Sequence, residues 1–545
     1  IGKDLDSEEL VYGAEEVNVG GNLNNKSDLQ TEGNVNVAGD TNNQGKIVAG
    51  DKLDIKGNLD NSGTAYGETG VTVGKDLNNS GSLQSAGDIQ AKNTKNTGKI
   101  ISEKNITTKN LENSNEIIAN GKITSDNIDN KTTGKLNAGD TITANGNATN
   151  QGSIRTNGSF SISGNYTNYN ETLVGGNLVS RDIINSGSMK VSEKITGRGT
   201  FTNTGEILAN NLDVDTIGNI SNSNKIVVLE DSRLKGNNVT NTGYISSTNL
   251  DIITPTFTNS GVIEADEKIT ANNTTLNNTG YIGSNQEINL NGSNVSNQGK
   301  LESANIEMNY LFAYNNLGGI INSNRVILSS NGSLILNGSL HGESYVKVES
   351  FSGDILIPID PNVAGNQNVS SIGKIEISGR DVTNDTVIGA DEVVIGSSRN
   401  LVNTNLIEGN RGTINGLNIT NNGLIAFADT LNINAKYGKI INNAGMAIYG
   451  GNLLKIDVEF GEVHNLRGEL LSLGDIDLTA NYLLNQVGTI QSTDNIYLNV
   501  NKIDNIGEVK NLDKYEKYYE TWDGRILTQA EVENIWDVDR GHESN

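Results

Sequence analysis

A period of about 18 residues runs through the first part of this chain and leaves few folds open to it. The pairs Val17 and Val19, Val35 and Val37, Leu53 and Ile55, Val71 and Val73, and Ile89 and Ala91 recur at that spacing. Three further registers keep step with them. One holds Leu23, Thr41, Leu59 and Leu77, another Leu29, Ile47, Ala65 and Leu83, and the last Asn25, Asn43, Asn61 and Asn79.

Within one repeat the apolar positions form an alternating pair and two single residues, separated by Gly, Asn, Asp, Ser and Thr, which is the pattern of short strands joined by turns. No helical stripe fits. Strands this short do not stand alone, so equivalent strands of successive repeats must pair in parallel as the chain winds. Crossovers between parallel strands almost always take the right hand. The expected fold is therefore all-β, a right-handed parallel β-helix, or solenoid. Composition agrees: aromatic residues make up 5% of the chain and proline stops at 3, while glycine reaches 63. A length of 545 residues would otherwise suggest three or four globular domains, but bulky core-forming side chains are too scarce to fill them.

Triplets of the type Asn-Ser-Gly or Asn-Thr-Gly fall once per repeat, at Asn61-Ser62-Gly63, Asn79-Ser80-Gly81, Asn185-Ser186-Gly187, Asn203-Thr204-Gly205, Asn241-Thr242-Gly243, Asn259-Ser260-Gly261 and Asn278-Thr279-Gly280. The glycine suits a corner needing positive φ. The asparagines either stack into a ladder of amide hydrogen bonds along the axis or mark solvent-exposed turns.

This reading divides the chain into regular repeats over 1–300, irregular coils over 301–395, resumed and slightly longer coils over 396–510, and an aromatic tail over 511–545. Triplet spacing fails between Leu301 and Val394. Pro358 and Pro361 lie there, and proline's exclusion from central strands predicts that Ile357 to Pro361 bulges or loops out. Triplet-like turns return at Asn443-Ala444-Gly445, Leu466-Arg467-Gly468, Gln486-Val487-Gly488 and Asn505-Ile506-Gly507. The tail gathers Tyr515, Tyr518, Tyr519, Trp522 and Trp536, and Thr528-Gln529-Ala530-Glu531 has capping-box spacing for a short helix toward Trp536. Such a segment serves as a cap on the last coil, as a stacking platform for a sugar or protein partner through Tyr515, Tyr518, Tyr519 and Trp522, or as a hinge to a following domain.

A formal charge of -25 disfavours nucleic acid and anionic lipid as partners. With no cysteine, neither disulfides nor thiolate metal sites arise. No apolar run approaches the ~18 residues of a membrane span, so no membrane insertion is expected. The first residues carry no signal-peptide pattern, and the repeat is already under way there, so the chain reads as part of something longer. His341, His464 and His542 are too dispersed for a metal site. The Gly98-Lys99 and Gly299-Lys300 pairs lack the Ser or Thr of a phosphate loop, and calcium-binding nonapeptides are missing. No cofactor is expected. The rival of an enzyme on the same scaffold, with paired carboxylates cleaving a polysaccharide, finds no nominated pair among 65 scattered acidic residues.

The Asn-rich repeats, for instance Gly74-Lys75-Asp76-Leu77-Asn78-Asn79-Ser80-Gly81-Ser82-Leu83 and Gly199-Thr200-Phe201-Thr202-Asn203-Thr204-Gly205-Glu206-Ile207, resemble the hemagglutinin repeats of the filamentous hemagglutinin family. That family comprises adhesins and contact-dependent growth-inhibition exoproteins of Gram-negative bacteria. The resemblance covers most of the chain up to about Gly507, and Tyr515 to Trp522 is similar to a segment that follows such repeats. It implies a right-handed β-helix, export through an outer-membrane two-partner secretion transporter, and display at the cell surface toward a host or neighbouring-cell receptor. The secretion domain and any toxin region are missing from this sequence, so adhesin and toxin-delivery filament both stay open. The expected function is that of a monomeric, non-enzymatic shaft, roughly 27 coils at about 4.8 Å each giving a rod of about 130 Å.

Overall fold

The computed structural model describes residues 1–316, 318–359 and 368–507, together with the backbone of two short strands, Tyr519–Glu520 and Ile526–Leu527. The chain divides into two units, Ile1–Asp266 and Glu267–Asn545. Among the described residues there is no helix, and each unit is a β-solenoid.

In the first unit one coil is made of three strands, such as Val17–Val19, Leu23–Asn25 and Asp28–Thr31. Their counterparts one coil on, Val35–Val37, Thr41–Asn43 and Lys46–Ala49, lie beside them in parallel. The registers read from sequence are the registers of the ladder. Val17 faces Val35, then Leu53, Val71 and Ile89. Leu23 faces Thr41, Leu59 and Leu77, and Leu29 faces Ile47, Ala65 and Leu83. Side chains alternate across each strand, so these residues all point inward and are buried. Like stacks on like along the axis, and a short strand that buries one or two residues gains its partner from the coils on either side.

From the second coil of the first unit onward, asparagine is buried at one corner of each coil. From Asn25 to Asn241 each side-chain amide of the file donates from Nδ2 to the Oδ1 of its counterpart in the next coil, the last bond ending on Asn259, at 2.6 to 2.9 Å. The same Nδ2 also reaches main-chain carbonyls, as Asn43 does to Thr64 O at 2.9 Å. The ladder reading therefore holds for the asparagine of each triplet, and exposure belongs to the middle residue, as at Ser62 and Ser80. The expectation for the glycines is corrected. Among the described residues the positive-φ glycines are Gly318 and Gly445, and none is a triplet glycine of the first unit. Those glycines are needed because coils touch there: a Cβ on Gly63 would lie 1.9 Å from Gly45 O, and one on Gly81 2.1 Å from Gly63 O.

A second file, which sequence reading missed, caps main-chain N–H groups at another corner. Asp4 Oδ1 accepts from Asn22 N at 2.6 Å, Asn22 Oδ1 from Asp40 N at 2.8 Å, Asp40 Oδ1 from Asn58 N at 2.8 Å, and Asn58 Oδ1 from Asp76 N at 3.1 Å. The signal was present as an Asp or Asn following Gly21, Gly39 and Gly57 at the repeat spacing.

In the second unit the coils continue in register through Leu301 to Val394, where the triplets fail. Leu301 faces Ile321, Ile321 faces Leu340, Leu340 faces Val369, and Val369 faces Ile388. The amide file runs from Asn278 to Asn297 to Asn316. On the next two rungs stand the buried Leu336 and Ile357, and asparagine resumes at Asn384, opposite Ile357. Two apolar rungs explain the lost triplets: the coil persists while the corner residue changes. The step across His341 to Ser370 is 29 residues, against 20 from Asn324 to Ser344. The surplus falls between the strands Ile355–Ile357 and Asn368–Ser371, which bracket Pro358 and Pro361.

The later coils also correct the sequence reading. The file passes through Asn442, Asn465 and Asn485, one residue before the triplets named at Asn443, Leu466 and Gln486. The corner after Asn442 therefore carries two extra residues and those after Asn465 and Asn485 one each, accommodated with left-handed backbone at Gly445 (φ 76°), Arg467 (φ 57°) and Val487 (φ 56°). Main-chain bonds hold that conformation, Gly445 N to Arg467 O at 2.9 Å and Arg467 N to Gln486 O at 2.8 Å.

Candidate functional site

Of the aromatic residues nominated in the tail, Tyr515, Tyr518 and Trp522 lie outside the described residues, as does the expected helix from Thr528 toward Trp536. Tyr519 is described as backbone alone, in a two-residue strand antiparallel to Ile526–Leu527.

Three other places gather functional side chains. The first is a shallow trough of about 440 Å³ on the first unit, lined by outward residues of successive coils, among them Asp76, Asn93, Asn110, Asn127, Lys95 and Glu112. Its groups bond to one another. Asn93 donates to Asp76 at 2.7 Å, Asn110 to Asn93 at 2.7 Å and Asn127 to Asn110 at 2.9 Å. Lys95 lies 3.6 Å from Glu112, and Lys131 pairs with Asp129. The trough is an outer face of the ladder, satisfied along the axis.

The second is a serine–histidine contact on the irregular coils, where His341 Nδ1 lies 2.9 Å from Ser370 Oγ. Among the described residues no carboxylate bonds to this imidazole, so the ring lacks the group that would orient it as a general base.

The third and richest cluster lies on the last coils of the second unit. The strand Leu453–Leu466 pairs with Lys439–Asn442 on one side and Asp475–Gln486 on the other, and Ile496–Ile506 follows. This register sets Lys439, Glu462, Tyr482 and Lys502 in one outward row and His464 and Asp504 in the next. Tyr482 donates to Asp504 Oδ2 at 2.7 Å, and Lys502 reaches the same oxygen at 2.9 Å while standing 4.8 Å from the Tyr482 ring centroid. The bond to Asp504 raises the phenol's pKa, and the bonds from Tyr482 and Lys502 lower that of Asp504. The His464 ring meets Tyr482 edge-on at 5.7 Å. Its Nε2 lies 2.9 Å from Glu462 Oε2 but is misaligned, and it is buried without a hydrogen bond. Burial, reinforced by the Lys439 ammonium, holds the imidazole below its usual pKa against the pull of Glu462.

A neutral imidazole beside a carboxylate can in principle accept a proton from a bound hydroxyl or amine. Here no hydroxyl or amine is hydrogen-bonded to it as a nucleophile among the described residues. Nor do those residues contain a group of three or more His, Cys, Asp or Glu placed to hold a metal. The cluster is equipped for hydrogen bonding at a surface. Sequence analysis singled out His464 alone, because Glu462, Tyr482 and Asp504 come together through coil register.

No family model, no curated protein and no solved structure matches the chain.

Proposed function

We propose that this chain is a length of shaft in a large secreted bacterial surface exoprotein, which projects a distal binding or toxin region away from the cell. The observation that carries the proposal is the coil-on-coil continuity within each unit, where backbone pairing joins successive coils and the buried asparagine file reinforces most of the joins. Such a scaffold gains length at about 4.8 Å per coil without needing a new core, which makes reach cheap in sequence. A net charge of -25 keeps neighbouring filaments apart. Under this proposal the chain performs no chemistry. It is displayed on a Gram-negative cell after passage through an outer-membrane transporter that recognises a region beyond this sequence.

Small-angle X-ray scattering of the purified chain tests the reading. A shaft gives a rod-like cross-section and a maximum dimension above roughly 110 Å. A radius of gyration near ~24 Å, the value for a globular chain of this length, refutes it. Location is tested separately, by protease accessibility of the chain on intact cells of its source.

A further inference from the structure

One corner of the second unit exposes aromatic rings that the shaft does not require. Tyr437 is 70% exposed and Phe460 56% exposed, and they stack on each other with centroids 5.3 Å apart and planes 11° from parallel. They occupy equivalent positions in adjacent coils, each followed by glycine, with Lys439 opposite Glu462 just beyond. Leu417, also exposed at 43%, lies on the same corner one coil earlier, where its carbonyl accepts from Lys439 N at 3.1 Å. The stack is braced. Lys436 sits 6.0 Å from the Tyr437 centroid and 5.6 Å from that of Phe460, and its ammonium pairs with Glu459 at 2.9 Å.

The following coil does not continue this corner. Val458 faces Ala480 and Glu462 faces Tyr482, so Glu459, Phe460 and Gly461 are opposed by Asn481 alone. The Phe460 corner therefore projects as a ledge at a step in the ladder. At that step Asn481 is exposed, accepts from Asn501 at 3.1 Å through its Oδ1, and keeps its own amide N–H groups without a partner among the described residues. Glu462 and Tyr482 stand next along the strands.

We propose that this ledge is a binding site for a neutral oligosaccharide, with the apolar face of one pyranose ring on Phe460 and its hydroxyls bonded to Asn481, Asn501 and Glu462. Large rigid rings held in place lose little entropy on binding, and amides and a carboxylate beside them provide both acceptors and donors for vicinal hydroxyls. Neutrality follows from the surroundings. Lys436, Lys439, Lys455 and Lys502 are each ion-paired to an acidic side chain, which leaves an anionic sugar without a free cation. A cationic ligand meets rings whose cation site Lys436 already fills.

The full chain is applied to an immobilised panel of neutral hexasaccharides of glucose, galactose, mannose and N-acetylglucosamine, with sialylated and sulfated glycans alongside. Retention on at least one neutral member is expected, with at least a tenfold loss in Phe460→Ala, a loss in Tyr437→Ala, and retention in Phe460→Trp. Phe351→Ala, which removes another exposed ring, should leave binding unchanged. Circular dichroism and scattering on each variant confirm the solenoid, so failure here is distinguishable from failure of the shaft. No retention of the wild-type chain on any neutral glycan at millimolar concentration overturns the proposal, as does binding that survives both ring deletions or binding confined to the anionic glycans.

Discussion

Asn203 offers a direct measure of what the buried amide file contributes. Its side chain is completely buried. Nδ2 donates to Asn222 Oδ1 at 2.8 Å, Gly205 O at 2.9 Å and Lys225 O at 3.1 Å, and Oδ1 accepts from Asn185 Nδ2 at 2.8 Å. In Asn203→Ala the Asn185 amide keeps Gly187 O and Glu206 O, both at 3.1 Å, so its donors stay satisfied. Asn222 Oδ1 and Lys225 O lose the Asn203 donor, while Gly205 O still accepts from Lys225 N at 3.2 Å. Unpaired buried acceptors cost about 1–3 kcal/mol each, and partial relaxation and water entry bring the expected total to about 4 kcal/mol. That is about a thousandfold rise in local opening at ~1.4 kcal/mol per decade. Hydrogen exchange read by mass spectrometry should show it in the strands Phe201–Asn203 and Asn219–Asn222, with Val35–Val37 unaffected, because coupling in a solenoid runs between neighbours. Asn203→Asp should respond to pH. Its carboxyl faces carbonyl oxygens, so its folded pKa rises above the unfolded value, and stability present at low pH is lost as pH rises through the folded pKa. A change below tenfold for Asn203→Ala, or one spread evenly over distant coils, would refute this account of the file.

Three further outcomes are expected. Val487 holds a left-handed φ that a β-branched residue adopts at a cost of about 1–2 kcal/mol, so Val487→Asn should raise the melting temperature, whereas an unchanged or lower value shows the corner is unstrained. Gly81→Ala would place a Cβ 2.1 Å from Gly63 O and should destabilise its coils by more than the ~1 kcal/mol of an average point substitution, while Gly2→Ala, with open space around it, should be silent in the same thermal scan. Burial raises the pKa of Asp213, but the bonds from Lys194 and Arg198, at 3.1 and 3.2 Å, outweigh it and leave the carboxyl below its usual value. Its contribution is therefore present above the unfolded pKa near ~3.9 and lost as pH falls through the lower folded value. The melting-temperature gap between wild type and Asp213→Asn should close on acidification, and a gap independent of pH contradicts the assignment.

Much of the coil was legible from sequence because a solenoid repeats its register. Val17, Leu23, Asn25 and Leu29 and their successors sit at constant spacing, and each class of position has one environment, so periodicity and burial coincide. Legibility failed where register is kept by insertion. Asn442, Asn465 and Asn485 were misplaced by one residue because insertion with left-handed backbone at each corner moved the apparent triplet. The rungs at Leu336 and Ile357 were unreadable as ladder positions because an apolar side chain in a polar file leaves no compositional mark. The His464 cluster and the Tyr437–Phe460 ledge depend on residues about a coil apart, and on how a coil of 23 residues meets one of 20. Spacing that varies between coils carries no periodic signal, so neither grouping was visible beforehand.

The amide file of the first unit has a direction. Every Nδ2 points toward the C-terminal neighbour, at the Oδ1 of the next coil and at a carbonyl beyond it, as Asn25 does toward Asn43 and Lys46. At its other end Asn25 Oδ1 is buried without a donor. A chain that emerges N-terminus first thus presents a finished coil whose waiting file amide is a donor, and the next asparagine arrives with the matching acceptor. The growing end is a template of one polarity. Along this file each arriving coil resets the same open amide donor for its successor.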